Sequence, residues 1–461
     1  MIPNLTMENY LDYLGVGKLL CCDSQQESIS CCFFILNCTK YNSAKLEEHR
    51  NMLERVEKMG IVVQKFGGTS VGTIDRIKNV AKIVTKTKEQ GNQVVVVVSA
   101  MGDSTDDLLD MAHQITSTPS SRELDMLLTT GEQVSISLLA MALQEIGFSA
   151  ISFTGWQAGV KTESVHSKAR ITDISSERIV QELKNDKIVI VAGFQGVSEE
   201  GEITTLGRGG SDTSAVALAA ALKADLCEIY TDVDGVYTTD PRIEPKAKKL
   251  KEVSFDEMLE LANLGAVVLH PRAVENAKKF GVHLVVRSSL VQVEGTVIKE
   301  EHGMEHVKVV TGVAYDMDVA RVQVIGLENK INALSDLFST LAKEKVNVDM
   351  IVTSDYGEDK INVSFSITSS DLQHTLAILE RYVGSCTMIS HEDHLAKVSI
   401  VGAGMISNPG VAAKMFEVLS NADIPIKMVT TSEIKVSCLV PKEYAISGVQ
   451  ELHRSFELDH E

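Results

Sequence analysis

Beyond residue 60 the chain alternates short apolar runs with amphipathic stretches. Ile61, Val62 and Val63 form the first run. Ile74, Ile77, Ala81 and Val84 then recur at spacings of 3, 4 and 3, which places them on one helix face. Val94 to Val98 is apolar throughout, as in a strand covered on both sides of a parallel sheet. Further strands are predicted at 149–153, 188–192, 226–231 and 282–286. Helices are predicted at 106–115, 122–146, 176–183, 213–223 and 255–264, the last opened by the capping box Ser254-x-x-Glu257. This alternation predicts an α/β domain over 59–295, with a mostly parallel sheet flanked by helices.

Past residue 295 the units shorten and repeat. A strand at Val319, a helix through Leu334, Leu337, Phe338 and Leu341, and the segment Val346-Asn-Val-Asp-Met-Ile-Val-Thr-Ser recur as a strand at Lys397, a helix through Val411, Met415 and Leu419, and Ile424-Pro-Ile-Lys-Met-Val-Thr-Thr-Ser. Two βαββαβ units are expected, one over 320–390 and the other over 300–319 plus 391–461. Residues 1–58 are Cys-, Asn- and Ser-rich. They show a single charged helical stretch at 44–58, and the functional start is expected at Met59.

The 44 basic and 63 acidic residues give a net charge of −19, which argues against a general nucleic-acid binder. Apolar runs such as Val94–Val98 and Cys31–Leu36 fall far short of the roughly 20 residues of a membrane span. Adjacent cysteines at 21–22 and 31–32 lack zinc-knuckle spacing. The isolated Cys227, Cys386 and Cys438 fit a reducing compartment, so a cytoplasmic location is expected.

Three motifs carry candidate chemistry. Lys65-Phe66-Gly67-Gly68-Thr69-Ser70 sits between a strand and a helix, where glycines and helix N–H groups suit phosphate; it is not a Walker A loop, because the lysine precedes the glycines. Leu206-Gly207-Arg208-Gly209-Gly210-Ser211-Asp212-Thr213 opens another helix, with Ser211 or Asp212 as its expected cap and Arg208 suited to a carboxylate. Tyr230-Thr231-Asp232-Val233-Asp234-Gly235-Val236-Tyr237-Thr238-Thr239-Asp240-Pro241-Arg242 follows a strand, at the end where open α/β sheets bind ligands.

With Ser99-Ala-Met-Gly, Phe153-Thr-Gly and Gly193-Phe-Gln-Gly added, this ordered set resembles the aspartate kinases of the amino-acid-kinase fold, and the two repeats resemble ACT domains. The resemblance spans about residues 60–461. It implies transfer of the γ-phosphoryl of ATP, carried with Mg2+, to the β-carboxylate of L-aspartate. It also implies feedback control through the ACT units, with lysine the expected inhibitor, and assembly as a homodimer or tetramer through those units. By the same resemblance Lys65 bridges the phosphates, Asp212 orients Lys65 or helps to hold the metal, and Phe66, Gly67, Gly68, Gly209, Gly210 and Ser211 line the ATP site. Arg208 takes the substrate α-carboxylate, with Ser211 beside it, and Glu132 takes the α-ammonium. Ser99 and Thr105 bond phosphate and substrate, and Thr231, Asp232, Tyr237 and Arg242 hold the nucleotide. No metal site made by the protein alone is implied. For the inhibitor, Asp336, Asp349, Ser354 and Asp355 supply carboxylates and a hydroxyl suited to an ε-ammonium.

Two departures from the family pattern stand out. Val267 replaces an expected lysine near the nucleotide, and the first repeat has Leu327-Glu-Asn-Lys where a Pro-Gly turn is usual, whereas the second keeps Asn408-Pro409-Gly410. Gly402-Ala-Gly404-Met-Ile-Ser407 imitates a dinucleotide fingerprint but lacks its third glycine. Competing readings are a relative acting on glutamate, carbamate or uridylate, and a non-catalytic amino-acid sensor.

Overall fold

The computed structural model of the chain describes residues 60–264, 268–300, 308–357, 359–382 and 386–460. The N-terminal segment with its predicted helix and five cysteines, Met59 and Val267 lie outside the described residues. The first part runs β1 (Ile61–Phe66), α1 (Ile74–Glu89), β2 (Gln93–Val98), α2 (Ser104–Ile115), α3 (Ser121–Glu145), β3 (Ala150–Phe153), β4 (Val160–Thr162), β5 (Ile171–Ile174), α4 (Glu177–Lys184), β6 (Ile188–Ala192), β7 (Gln195–Val197), β8 (Ile203–Thr205), α5 (Gly210–Leu222), β9 (Leu226–Thr231), β10 (Glu252–Ser254), α6 (Phe255–Asn263), α7 (Pro271–Phe280), β11 (Leu284–Ser288) and β12 (Thr296–Lys299).

Eight of these strands form one sheet in the order β10-β12-β11-β9-β1-β2-β6-β3, parallel at every pairing except β11 with β12. The apolar run explains why both faces are covered. Val94, Val96 and Val98 join Phe66, Ile77 and Leu139 in one core, while Val95 and Val97 join Ala215 and Leu218 in the other, all of them fully or almost fully buried. The carboxyl ends of the parallel strands therefore open on one edge; the first and third motifs emerge there from β1 and β9, while the second follows β8 of a separate four-stranded sheet.

One reading needs correction. Although no continuous apolar run suggests a membrane span, α3 is long and apolar enough for one by length and composition. Thr129, Thr130, Glu132, Gln133 and Ser135 interrupt the run, so run length hid it. Half of its apolar window is buried inside the protein, with Ile136, Leu139, Ala140 and Leu143 in the core under the sheet. It is a core helix.

The second part runs β13 (Gly312–Glu328), α8 (Ala333–Lys343), β14 (Ile351–Asp355), β15 (Lys360–Ile367), α9 (Leu372–Leu379), β16 (Met388–Val401), α10 (Val411–Asn421), β17 (Met428–Thr431), β18 (Lys435–Pro441) and α11 (Ala445–Ser455). Two separate βαββαβ units would supply eight strands. The structure has six, in one antiparallel sheet ordered β14-β15-β13-β16-β18-β17. β13 and β16 each run through both units and pair along most of their length, so each counts twice. The fingerprint look-alike falls at the end of β16 and in the turn Ala403–Ser407, where the Ala403 N–H donates to Glu257 of α6. Those residues hold the two parts of the chain together.

Candidate active site

Lys65 is the penultimate residue of β1, and Asp212 lies in the first turn of α5. The strand end and the helix start bring the ammonium to 2.5 Å from Asp212 Oδ1, with both side chains about nine-tenths buried. The backbone N–H of His270 donates to the other Asp212 oxygen at 3.4 Å. Ser99, just past β2, meets Ser211 hydroxyl to hydroxyl at 2.8 Å. Four strand or helix ends thus converge, and two cation- or phosphate-directed motifs distant in sequence become one site.

The loop after Lys65 differs from expectation. It is followed by a four-residue 3-10 turn, Gly68–Val71, and the α-helix starts only at Ile74, capped by the Thr73 hydroxyl. The glycines therefore open this short 3-10 turn and do not sit on the N-terminus of the α-helix. They are held from beneath: the Gly67 N–H donates to the Tyr230 carbonyl at 3.2 Å, and Phe66 stacks on the Tyr230 ring at 4.6 Å. Neither Ser211 nor Asp212 caps α5. The N-cap is Gly209 in the left-handed region (φ 67°), and both residues lie inside the first turn, which frees Asp212 for Lys65. A Cβ on Gly209 would fall 2.0 Å from the His270 ring. Gly209→Ala should therefore lower thermal stability by about 1–3 kcal/mol through strain and overpacking, and lower kcat/KM with it. A melting curve and activity equal to wild type would show that the loop has another way to turn.

Glu132, in the middle of α3, is 3 % exposed. A Cβ at Gly131 would lie 2.8 Å from that of Ala100, so the glycine lets α3 approach the turn after β2. Glu132 Oε1 then accepts the Ala100 N–H at 3.1 Å, while Oε2, with the Gln195 amide nearby, makes no hydrogen bond of ordinary geometry. Burial raises its pKa to about 7, against the smaller opposing effect of the backbone N–H groups and Gln195. Arg208 is exposed in the turn before α5 and makes no ion pair with a described residue, and Thr105 is half-buried at the start of α2.

The third motif forms the long connection after β9. Thr231 donates to Asp232 at 3.0 Å, and the Tyr237 hydroxyl donates to Asp234, which also takes Lys249 at 3.1 Å. Arg242 is mostly exposed and grips Asp240 through two of its nitrogens. Sequence reading missed Asp240, Lys249 and His270. For Asp240 the signal was its place inside the third motif; Lys249 and His270 gave none, since their roles are to hold other groups in place.

In the regulatory part, Asp349 accepts the buried Lys397 ammonium at 2.5 Å, so its charge is already matched. Ser354 and Asp355 are exposed on the edge strand β14, and Asp336 accepts from Asn332 in the first turn of α8.

Residues 60–288 match the amino acid kinase family, and residues 322–382 and 398–456 match the ACT domain. An aspartokinase of Bacillus sp. (strain MGA3) is 60% identical over 406 residues, covering 87% of this chain and 98% of its own length. The chain belongs to the aspartokinase family. Its activity is that of an ATP-dependent aspartate kinase, a phosphotransferase. Among solved aspartokinases, aspartokinase III of E. coli with aspartate and ADP (R-state) is 28% identical, with a TM-score of 0.74 over 86% of this chain and 99% of that one. The same E. coli enzyme with lysine and aspartate (T-state) gives 0.70 over the same shares. The glutamate, carbamate and uridylate alternatives and the sensor reading are set aside by this membership.

Proposed function

We propose that Lys65, held by Asp212, bridges the phosphates of ATP while the β-carboxylate of aspartate attacks the γ-phosphorus. The buried Lys65–Asp212 pair at the carboxyl end of β1 carries this reading. The nucleophile is ionised at neutral pH and needs no general base. The barrier lies in bringing it to a triphosphate of the same sign, so fixed cations and N–H groups supply the catalysis. Arg208, without an ion-pair partner among the described residues, would take the α-carboxylate, and Glu132, with one oxygen unsatisfied among the described residues, the α-ammonium. Ser99, Ser211 and Thr105 would bond phosphate and substrate. Phe66, Gly67, Gly68, Gly209 and Gly210 would line the nucleotide, with Thr231, Asp232, Tyr237 and Arg242 around it.

Mg2+ would enter with ATP. Among the described residues no group of three or more His, Cys, Asp or Glu is placed to hold a metal. A metal neutralising the phosphates would be held chiefly by them, with Asp212 as the protein's proposed contribution. In this reading the catalytic domain spans 59–295, the interleaved ACT units follow, and the protein works in the cytoplasm on the route to lysine, threonine and methionine. Lysine would inhibit through Asp336, Asp349, Ser354 and Asp355 where ACT units of two copies meet. The fully exposed edge strand β14, with Ile351 and Val352 uncovered, supports such a homodimer or tetramer. For Asp349 the inhibitor would have to displace Lys397.

The test is ADP release with MgATP and aspartate, with and without lysine or threonine. Aspartate-dependent release, suppressed by lysine, is expected; inhibition by threonine alone would overturn the lysine assignment. Arg208→Ala should raise the KM for aspartate by about 10–100-fold, the cost of a lost charge-assisted pair, with the KM for ATP nearly unchanged. Equal effects on both substrates would remove Arg208 from the α-carboxylate.

A further inference from the structure

The connection between β9 and β10 carries the proposed nucleotide contacts Asp232, Tyr237 and Arg242, with Thr231 at the end of β9, yet it contains no helix and no strand. A loop of this length would lose much conformational freedom on binding unless something fixed it beforehand. The kinase part holds its first stretch, where the Val236 N–H donates to the Thr296 hydroxyl at 2.9 Å and Lys249 donates to the Glu294 carbonyl at 2.7 Å, and the regulatory part holds the stretch that follows. Thr238 and His453 of α11 are each 1% exposed, and the Thr238 hydroxyl meets His453 Nε2 at 2.9 Å. The same hydroxyl accepts the Lys248 N–H at 2.9 Å, and the Thr238 carbonyl accepts the Val313 N–H of β13 at 2.7 Å. Two residues on, Asp240 accepts the Tyr315 hydroxyl of β13 at 3.2 Å while it grips Arg242. The Ile243 carbonyl accepts the Gln450 amide of α11 at 2.6 Å. Each of these regulatory anchors lies between Tyr237 and Arg242 or one residue beyond.

We infer that His453 is a positioning residue for the phosphoryl transfer: through Thr238 it presets the nucleotide loop, so the ATP site is complete only with the regulatory helix α11 in place. The kinase part supplies the groups that touch ATP, and the regulatory part supplies the shape of the loop that carries them. Regulation then needs no contact with ATP, because any shift of α11 or β13 changes how much of the protein has its loop ready.

The inference rests on the nucleotide assignment of this loop, so the experiment tests both. In the full-length enzyme, His453→Ala should raise the KM for ATP about 5–10-fold, the range for a lost buried hydrogen bond, with the KM for aspartate and kcat at saturating ATP within about twofold. His453→Gln, which keeps a polar group in reach of Thr238, should recover most of the loss. Tyr315→Phe, at a half-buried site where only the hydroxyl is removed, should raise the KM for ATP by a smaller factor of about 2–4 and serves if the His453 variants do not fold. Asp232→Ala is the direct probe of the loop and should raise the KM for ATP by itself. If it does not, the nucleotide assignment falls and the inference with it. If Asp232→Ala raises the KM and neither His453→Ala nor Tyr315→Phe does, the assignment stands and the positioning role is refuted. A parallel loss in both substrates that Gln does not recover would also refute it, since that is the signature of a merely structural histidine.

Discussion

Lys65→Met should reduce kcat by about 10²–10³-fold, the typical cost of one lost transition-state charge contact. Lys65 is buried in an ion pair with Asp212 at 2.5 Å, so the single substitution does two things. It removes the cation proposed to bridge the phosphates, and it leaves Asp212 as an unmatched buried charge, which costs on the order of 3–5 kcal/mol of stability. The two effects separate in the double variant Lys65→Met with Asp212→Asn. That protein should regain much of the lost melting temperature, because the orphan charge is gone, and should stay inactive. Recovery of stability without recovery of turnover assigns Lys65 to the chemistry. Near-normal kcat in the single variant would show that another cation bridges the phosphates.

The sequence made the catalytic sheet legible where its strands are long and apolar. Val94–Val98 read as a strand buried on both faces, and its side chains do alternate between two cores. The small sheet β5-β4-β7-β8 escaped notice because its strands have three or four residues, too few for any period to show. Helix α7 was missed although Pro271 stands at its first turn, a known start signal; its apolar face is only Ala273, Val274 and Ala277. The repeat was legible, but the sharing of β13 and β16 was not, since nothing local says that a strand of 17 residues serves two units. At the site the motifs placed Lys65, Asp212, Ser99 and Ser211 in one list, and folding brought them into two contacting pairs. What stayed invisible was the supporting layer. His270 and His453 carry no motif of their own, and Asp240, though inside the third motif, had no assigned role there; their meaning lies in which side chain they hold.

Glu132→Gln should make the protein more stable and a much poorer user of aspartate. Burial holds the Glu132 carboxyl at a pKa of about 7 against 4.5 unfolded. Below 4.5 it is neutral in both states, and its contribution to stability is fully present. As pH rises toward 7 the unfolded chain gives up the proton first, so that contribution drains away. Above 7 the folded protein carries a buried charge at a cost of roughly 3 kcal/mol. Glutamine keeps an oxygen for the Ala100 N–H and carries no charge, so above pH 7 the variant should melt higher, and the gain should shrink toward pH 4.5. The wild type accepts that cost because the charge has a use: in the proposed site an α-ammonium faces the unsatisfied Oε2. Removing the charge should raise the KM for aspartate by about 10²-fold, as for a lost buried charge-assisted bond, and abolish the upward shift of melting temperature that aspartate gives the wild type. In the wild type the KM for aspartate should rise as pH falls below 7, and the variant should lose that dependence. Melting curves with and without aspartate across this range decide the matter. A variant that melts lower while its KM for aspartate and its pH profile match wild type would make Glu132 a strut for the turn at Ala100, with no part in binding the substrate.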